Sequence, residues 1–272
     1  MGSAYALILS ELKQLVRSKW LYIVLALFLL LFVSIMLLQQ LNAGEQMVFD
    51  RYNASLVNVL LFLLPLFILT IGAMGVAQDT ESGWYRLLRT YPLSIGRYVF
   101  SKFIALIVLF LLILGTTETI VLLLGSFLGG ISIHPTFLLL ALLLVLIVSA
   151  LSIWIGTFAR HRLHALGLSL GIWGFFSLLS NYIVMALGTI LPNYVIEKLL
   201  YVHLHSNPFE WLRFLFLLMI NQTGVLGKSF YSLTQFYTSA LGITVAIILT
   251  LIWMISPLLL AVWQLKWKEK RS

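Results

Sequence analysis

Six stretches of this 272-residue chain are each long and apolar enough to cross about 30 Å of hydrocarbon as a helix, which takes roughly 20 residues. They are residues 20–38, 56–77, 99–127, 137–158, 165–190 and 240–264. Strands of a membrane barrel are only about 10 residues long and alternate apolar with polar, and these runs do neither. In lipid the backbone has no water to bond to, and a helix satisfies its N–H and C=O groups within one segment. Composition agrees, with 61% hydrophobic and 10% charged residues, against about 45–50% and 25% in soluble domains. The expectation is an all-α polytopic membrane protein, a single transmembrane domain over residues 1–272 with six transmembrane helices.

Lys and Arg are unevenly divided between the two sets of connections. Thirteen fall in the N-terminal segment, residues 78–98 and just beyond, residues 159–164 and the C-terminal tail; four (Arg51, Lys198, Arg213 and Lys228) fall in the other set. The positive-inside rule then puts both termini in the cytoplasm. Topology accounts for this basic excess without any nucleic-acid partner. The chain has no cysteine, which excludes disulfides and thiolate metal sites. Its first apolar run leads into a full-length span rather than a cleavable signal peptide.

Residues 1–19 have Tyr5, Ile8, Leu9, Leu12, Leu15 and Val16 at helical spacing, with Ser10, Lys13, Gln14 and Arg17 opposite. That pattern fits an amphipathic interfacial helix, or simply the wet start of the first span. Residues 191–239 are the longest extracytoplasmic connection. The apolar run 209–219 within them is too short to span, so one or two helices at the outer surface are expected. A seventh span would carry the basic tail outside, against the charge count.

The loop 78–98 opens with two acids, Asp79 and Glu81, continues through Arg86, Arg89 and Arg97, and contains a Pro92-Leu93-Ser94 turn. Asp79 or Thr80 can cap a short helix with acids in its first turn. Gly83 to Thr90 then gives about two turns, ended by Pro92. An ordered charged helix between two spans suits docking of a soluble partner. A solvated connector is the other reading.

Asp79-Thr80-Glu81-Ser82-Gly83, Leu87-Leu88, Tyr91-Pro92-Leu93-Ser94 and Lys102 resemble the ABC-2 type transporter permease family, and the likeness covers nearly the whole chain. Within it, Leu64-Pro65-Leu66, Leu88–Leu93, Lys102-Phe103 and Ala165–Trp173 are most similar to the NosY-type permeases of nitrous-oxide reductase maturation. Asn207-Pro208-Phe209-Glu210 with Arg213 also looks like that subfamily's pattern. The resemblance implies a permease in the inner (cytoplasmic) membrane, working as a pair with a second copy of itself and two cytoplasmic ABC ATPase subunits. ATP-Mg would be held by those subunits and no cofactor by this chain. ATPase-coupling residues would be Asp79, Glu81, Gly83, Arg86, Leu87, Leu88, Arg89 and Pro92. For the NosY type, the resemblance implies outward transfer of a sulfur species for copper–sulfur cluster assembly, received by an extracytoplasmic accessory protein. Peptide, lipid or drug export, or a non-transporting scaffold, stays open.

Other motifs have plainer readings. Gly227-Lys228-Ser229 lacks the earlier glycine of a P-loop, since Gln222 stands there. Gly167-Leu168-Ser169-Leu170-Gly171 has the string of a nucleophile elbow but lies inside a span. Gly167, Gly171 and Gly174 therefore suit close helix packing. No paired acids or in-membrane Ser/His set points to an enzyme. Glu118, beside Thr117, is the one carboxylate well inside a span. Such a charge is costly in lipid; it either lines a translocation path, reaches the outer interface, or pairs with Arg51 or Arg213. His203 and His205 would share a face only if extended, and no metal is expected. His161, Arg162 and His164 form a second docking point or anchor helix ends.

Overall fold

The computed structural model describes residues 2–41, 48–88, 90–91, 93–127 and 135–270, and those residues are helical with no strand among them. Twelve α-helices occur in the described residues: α1 (Gly2–Val16), α2 (Lys19–Leu41), α3 (Val48–Glu81), α4 (Trp84–Leu88), α5 (Ile95–Phe127), α6 (Pro135–Phe158), α7 (Arg162–Gly174), α8 (Ser180–Gly188), α9 (Asn193–Ser206), α10 (Pro208–Met219), α11 (Tyr231–Thr238) and α12 (Ala240–Glu269). Six helical units are long and apolar enough to cross a membrane: Lys19–Leu38, Ser55–Glu81, Ile95–Phe127, Pro135–Phe158, Arg162–Gly188 and Ala240–Glu269. The chain is a multi-pass membrane protein.

Several spans run past their apolar stretches. α3 continues beyond Ala77 through Asp79 to Glu81, and α5 begins at Ile95, because polar residues at a helix end need only a polar environment, not a break. The fifth span is interrupted by a π-helical turn, Phe175–Leu179, that joins α7 to α8.

The core forms where α3 meets α6, α7 and α5. Leu60, Leu64, Ile68 and Ala73 of α3 and Leu140, Leu144, Ile147 and Val148 of α6 are fully buried. Phe28 and Phe32 of α2 fill one flank, edge-on to Phe67 and Phe137. Lipid tails are as apolar as leucine, so close approach matters more here than apolar burial itself. Gly156 supplies it: a Cβ there would lie 2.7 Å from Val76 Cβ and 2.8 Å from the Ala73 carbonyl. Gly72 is similarly closed off by Ser152 and Leu106. Gly167, Gly171 and Gly174 have nothing within 4 Å. Their expected close packing thus has no neighbour among the described residues.

Residues 191–239 hold α9, α10 and α11 and two short 3₁₀ turns. α10 has 12 residues, about 18 Å of helix, too short to span. It is nonetheless well buried through Phe209, Trp211, Leu212, Phe214 and Phe216, packing on α6 and α9. Gly156→Ala is expected to lower thermal stability in detergent by about 1–3 kcal/mol through overpacking. Gly115→Ala, with open space around it, should not lower it; a fluorescence-detected melting series of the two variants checks this.

Candidate functional site

The end of the bundle that gathers α1, the turn after α3, the start of α7 and the end of α12 is built around a buried ion cluster. Lys102 Nζ of α5 lies 2.6 Å from Glu11 Oε2 of α1 and 2.8 Å from Asp79 Oδ2 of α3. The Tyr98 hydroxyl donates to the same Asp79 oxygen at 2.7 Å, and Lys102 sits 5.8 Å from the Tyr98 ring centroid. Glu11, Asp79 and Lys102 are each no more than 6% exposed. Taking charges out of water costs several kcal/mol per ion, offset only by good pairing and added hydrogen bonds; one ammonium, two carboxylates and a phenol supply these. Burial pushes the Glu11 carboxyl above its ordinary range, while Lys102 pulls it back down.

This arrangement corrects the expectation for Asp79. It caps no surface helix, because α3 carries on past it, and its carboxylate faces inward rather than toward a partner. Glu81 is also engaged within the chain: its Oε2 accepts the Arg162 backbone N–H at 3.0 Å, at the start of α7. His161 Nδ1 accepts the His164 N–H and His164 Nδ1 the Arg160 N–H, so both imidazoles hold the turn that leads into α7.

Gly83, at φ +75°, ends α3 in the left-handed region that glycine enters without steric cost. α4 follows with five residues, shorter than the two turns expected. Leu88 turns inward and is 8% exposed, whereas Leu87 is 50%, Trp84 41% and Tyr91 61% exposed. Tyr85 stacks edge-on with Tyr98 at 5.1 Å and donates to Glu269 Oε1 of α12 at 2.9 Å. The short helix thus presents an apolar outer face while its inner side is pinned to the ion cluster and to the last span. Nearby, Thr157 Oγ1 of α6 bonds Gln264 Oε1 at 2.9 Å, and Lys268 donates to the Thr157 carbonyl. The expected roles of Arg89 and Pro92 lie outside the described residues, as does the side chain of Arg86.

At the other end, Glu118 is 5% exposed, and among the described residues neither carboxylate oxygen has a hydrogen-bond partner, nor has the Thr117 hydroxyl beside it. The side chain therefore faces protein, not lipid. Arg213 does not reach it, being paired with Glu210 at 3.4 Å, and the side chain of Arg51 is outside the described residues. His203 and His205 lie on α9 with separate partners. His203 Nε2 bonds Asn181 Oδ1 at 2.8 Å; His205 bonds the Tyr201 carbonyl and the Tyr237 hydroxyl, each at 2.6 Å. No group of three metal-ligating side chains occurs among the described residues. Asn207 caps α10 through Oδ1 and donates Nδ2 to the Phe176 carbonyl in the π-helical turn at 2.8 Å.

Sequence reasoning missed Glu11 and Tyr98, and gave Trp84 and Tyr91 no role beyond their place in the 78–98 loop. The signal for Glu11 was Lys102: a lysine two turns into α5 and inside its apolar run calls for a carboxylate, and Glu11 follows Leu7 by four residues on the helix face that turns inward.

The profile of the ABC-2 family transporter protein matches residues 5–269. The chain is 29% identical over 234 residues to a probable ABC transporter permease protein NosY of Pseudomonas aeruginosa, covering 79% of each. It is 26% identical over 238 residues to the protein of the same description in Stutzerimonas stutzeri, covering 84% of each.

Lys102→Met would leave two carboxylates buried without their cation. A loss of about 3–5 kcal/mol is expected, read as collapse of the monodisperse size-exclusion peak. The triple change Lys102→Met, Glu11→Gln, Asp79→Asn removes the charges together and should recover much of that peak.

Proposed function

The chain belongs to the ABC-2 family of transporter proteins, and from that premise we propose that its Trp84–Leu88 helix is the contact through which a separate cytoplasmic ATPase drives it. Membership makes the chain a membrane permease subunit of an ABC transporter. The observation that carries the docking reading is the division of labour on that helix. Trp84 and Leu87, with Tyr91 just beyond the helix, are exposed while Tyr85 and Leu88 are held from within. An exposed apolar face on a short, anchored helix suits a soluble partner's groove. On this reading both termini are cytoplasmic, as the Lys/Arg distribution supports, and the membrane is the inner one. α1 lies at the cytoplasmic interface, ATP-Mg sits on the ATPase, and Glu81 supports the helix by capping α7.

A second copy of the chain completes the permease. Gly167, Gly171 and Gly174 offer an open small-residue face on α7, the kind of surface that lets a neighbouring helix approach closely. Transport is outward. The resemblance to NosY-type permeases supports a sulfur species for the copper–sulfur cluster of nitrous-oxide reductase as cargo. An accessory protein would receive it at the α9–α10 end. Glu118 and Thr117, buried with oxygens that no described residue bonds, line or gate the path.

Leu87→Glu and Trp84→Glu are expected to abolish copurification of the ATPase while leaving the permease melting temperature unchanged. An intact complex in both variants rejects the docking reading. Glu118→Gln should leave assembly normal and reduce transport by at least about tenfold, the scale of an interaction worth about 1.4 kcal/mol; unchanged transport removes Glu118 from the path.

A further inference from the structure

A cleft of about 810 Å³ opens beside the ion cluster, walled by α1, α3 and α7. Its floor is apolar: Leu66, Phe67, Ile71 and Met74 of α3, with Leu166 and Leu170 of α7. Thr70, also on that wall, spends its hydroxyl on the Leu66 and Phe67 carbonyls of its own helix, so it adds no free donor. The mouth is cationic. Lys13 and Arg17 come from the end of α1 and Arg162 from the start of α7, with Trp20 beside them. Lys102 also borders the cleft but is committed to Glu11 and Asp79. Lys13, Arg17 and Arg162 form no ion pair with any described residue.

The depth of the cleft identifies what fits. Along α3 it runs from Gln78 to Leu66, about 18 Å at 1.5 Å per residue. Half a bilayer's hydrocarbon is about 15 Å. Cations and a tryptophan at headgroup level above an apolar wall reaching the midplane reproduce the profile of one lipid leaflet. Basic pockets between transmembrane helices bind anionic headgroups. We propose that this cleft is a binding site for one anionic phospholipid, its phosphate held among Lys13, Arg17 and Arg162 and an acyl chain laid along the floor.

A second copy of this chain is the poorer occupant. A two-fold contact sets a patch against itself and would oppose like charges at the mouth. The glycine face of α7 points roughly 100° away from the Arg162, Leu166 and Leu170 side, given about 100° per residue. The inference rests on the helices spanning a membrane and not on the ATPase contact or the cargo.

Native mass spectrometry of the purified chain, titrated with phosphatidylglycerol and with phosphatidylcholine, tests it. Wild type should hold one phosphatidylglycerol per chain with at least about tenfold preference, a modest expectation for three cations near one headgroup. Lys13→Gln, Arg17→Gln and Arg162→Gln together should erase the preference, and Arg97→Gln, outside the cleft, should not. Met74→Trp, with every cation kept, should weaken retention of both lipids by filling the floor, which keeps the test decisive if the triple variant folds poorly. Equal retention of the two lipids by wild type overturns the proposal. So does displacement by soluble glycerophosphoglycerol at the lipid's own concentration, which would mark a site for an anion alone. A dimer that carries no lipid overturns it in favour of a second copy.

Discussion

Everything at the basic end hangs on Lys102. A lysine two turns into an apolar helix cannot stay charged in hydrocarbon without partners, and its partners come from two other elements, Glu11 on α1 and Asp79 on α3. That requirement draws the N-terminal helix against the flank of α5 and ties the last turns of α3 to both. Once α3 ends at Glu81, Gly83 turns the chain and α4 falls beside Tyr98. The short helix is thus placed by charge pairing inside the protein, and its outward apolar face is a consequence.

The same end also shows which polar contacts fasten the fifth span to α3. Its first helix starts under the Glu81 carboxylate, Ser169 bonds the Leu69 carbonyl of α3, and Trp173 bonds the Phe62 carbonyl at 2.8 Å. One side of the unit packs half-buried on α3 through Leu168, Ile172 and Trp173, and only 6% of its most apolar window is fully buried. α6, by contrast, is buried over 67% of its window. One span therefore forms the inner wall of the molecule and another leaves most of its surface for lipid or a second copy.

Six spans were legible because length and hydropathy alone decide them. Their ends were not. Hydropathy stops at Ala77, but the helix stops only where Gly83 takes a positive φ, so Asp79 was read as a surface cap when it is an interior anion. Periodicity placed Lys13 and Arg17 on the polar side of α1. It gave no sign that Glu11 turns inward, because only the distant Lys102 makes that burial tolerable. Glycine spacing likewise marked α7 for close packing, whereas the close approach within the chain uses Gly72 and Gly156, a pair that becomes visible only when α3 and α6 are laid together.

The Asn207-Pro208 pair has a physical reason that its sequence alone conceals. A π-helical turn moves the backbone bonds from i+4 to i+5 amides, and here the Ser180 N–H reaches the Phe175 carbonyl. Phe176 lies in such a turn, and the Asn207 amide and the Ser180 hydroxyl both donate to its carbonyl. Asn207 simultaneously caps α10 with its side-chain oxygen, while Pro208 takes the first helical position, where a missing N–H costs nothing. Asn181, just past the same turn, joins His203 of α9 to Glu210 of α10. α9 and α10 are thereby fastened to the π-helical turn of the fifth span. That span is therefore held at its start by Glu81, along α7 by Ser169 and Trp173 on α3, and at its middle by Asn207.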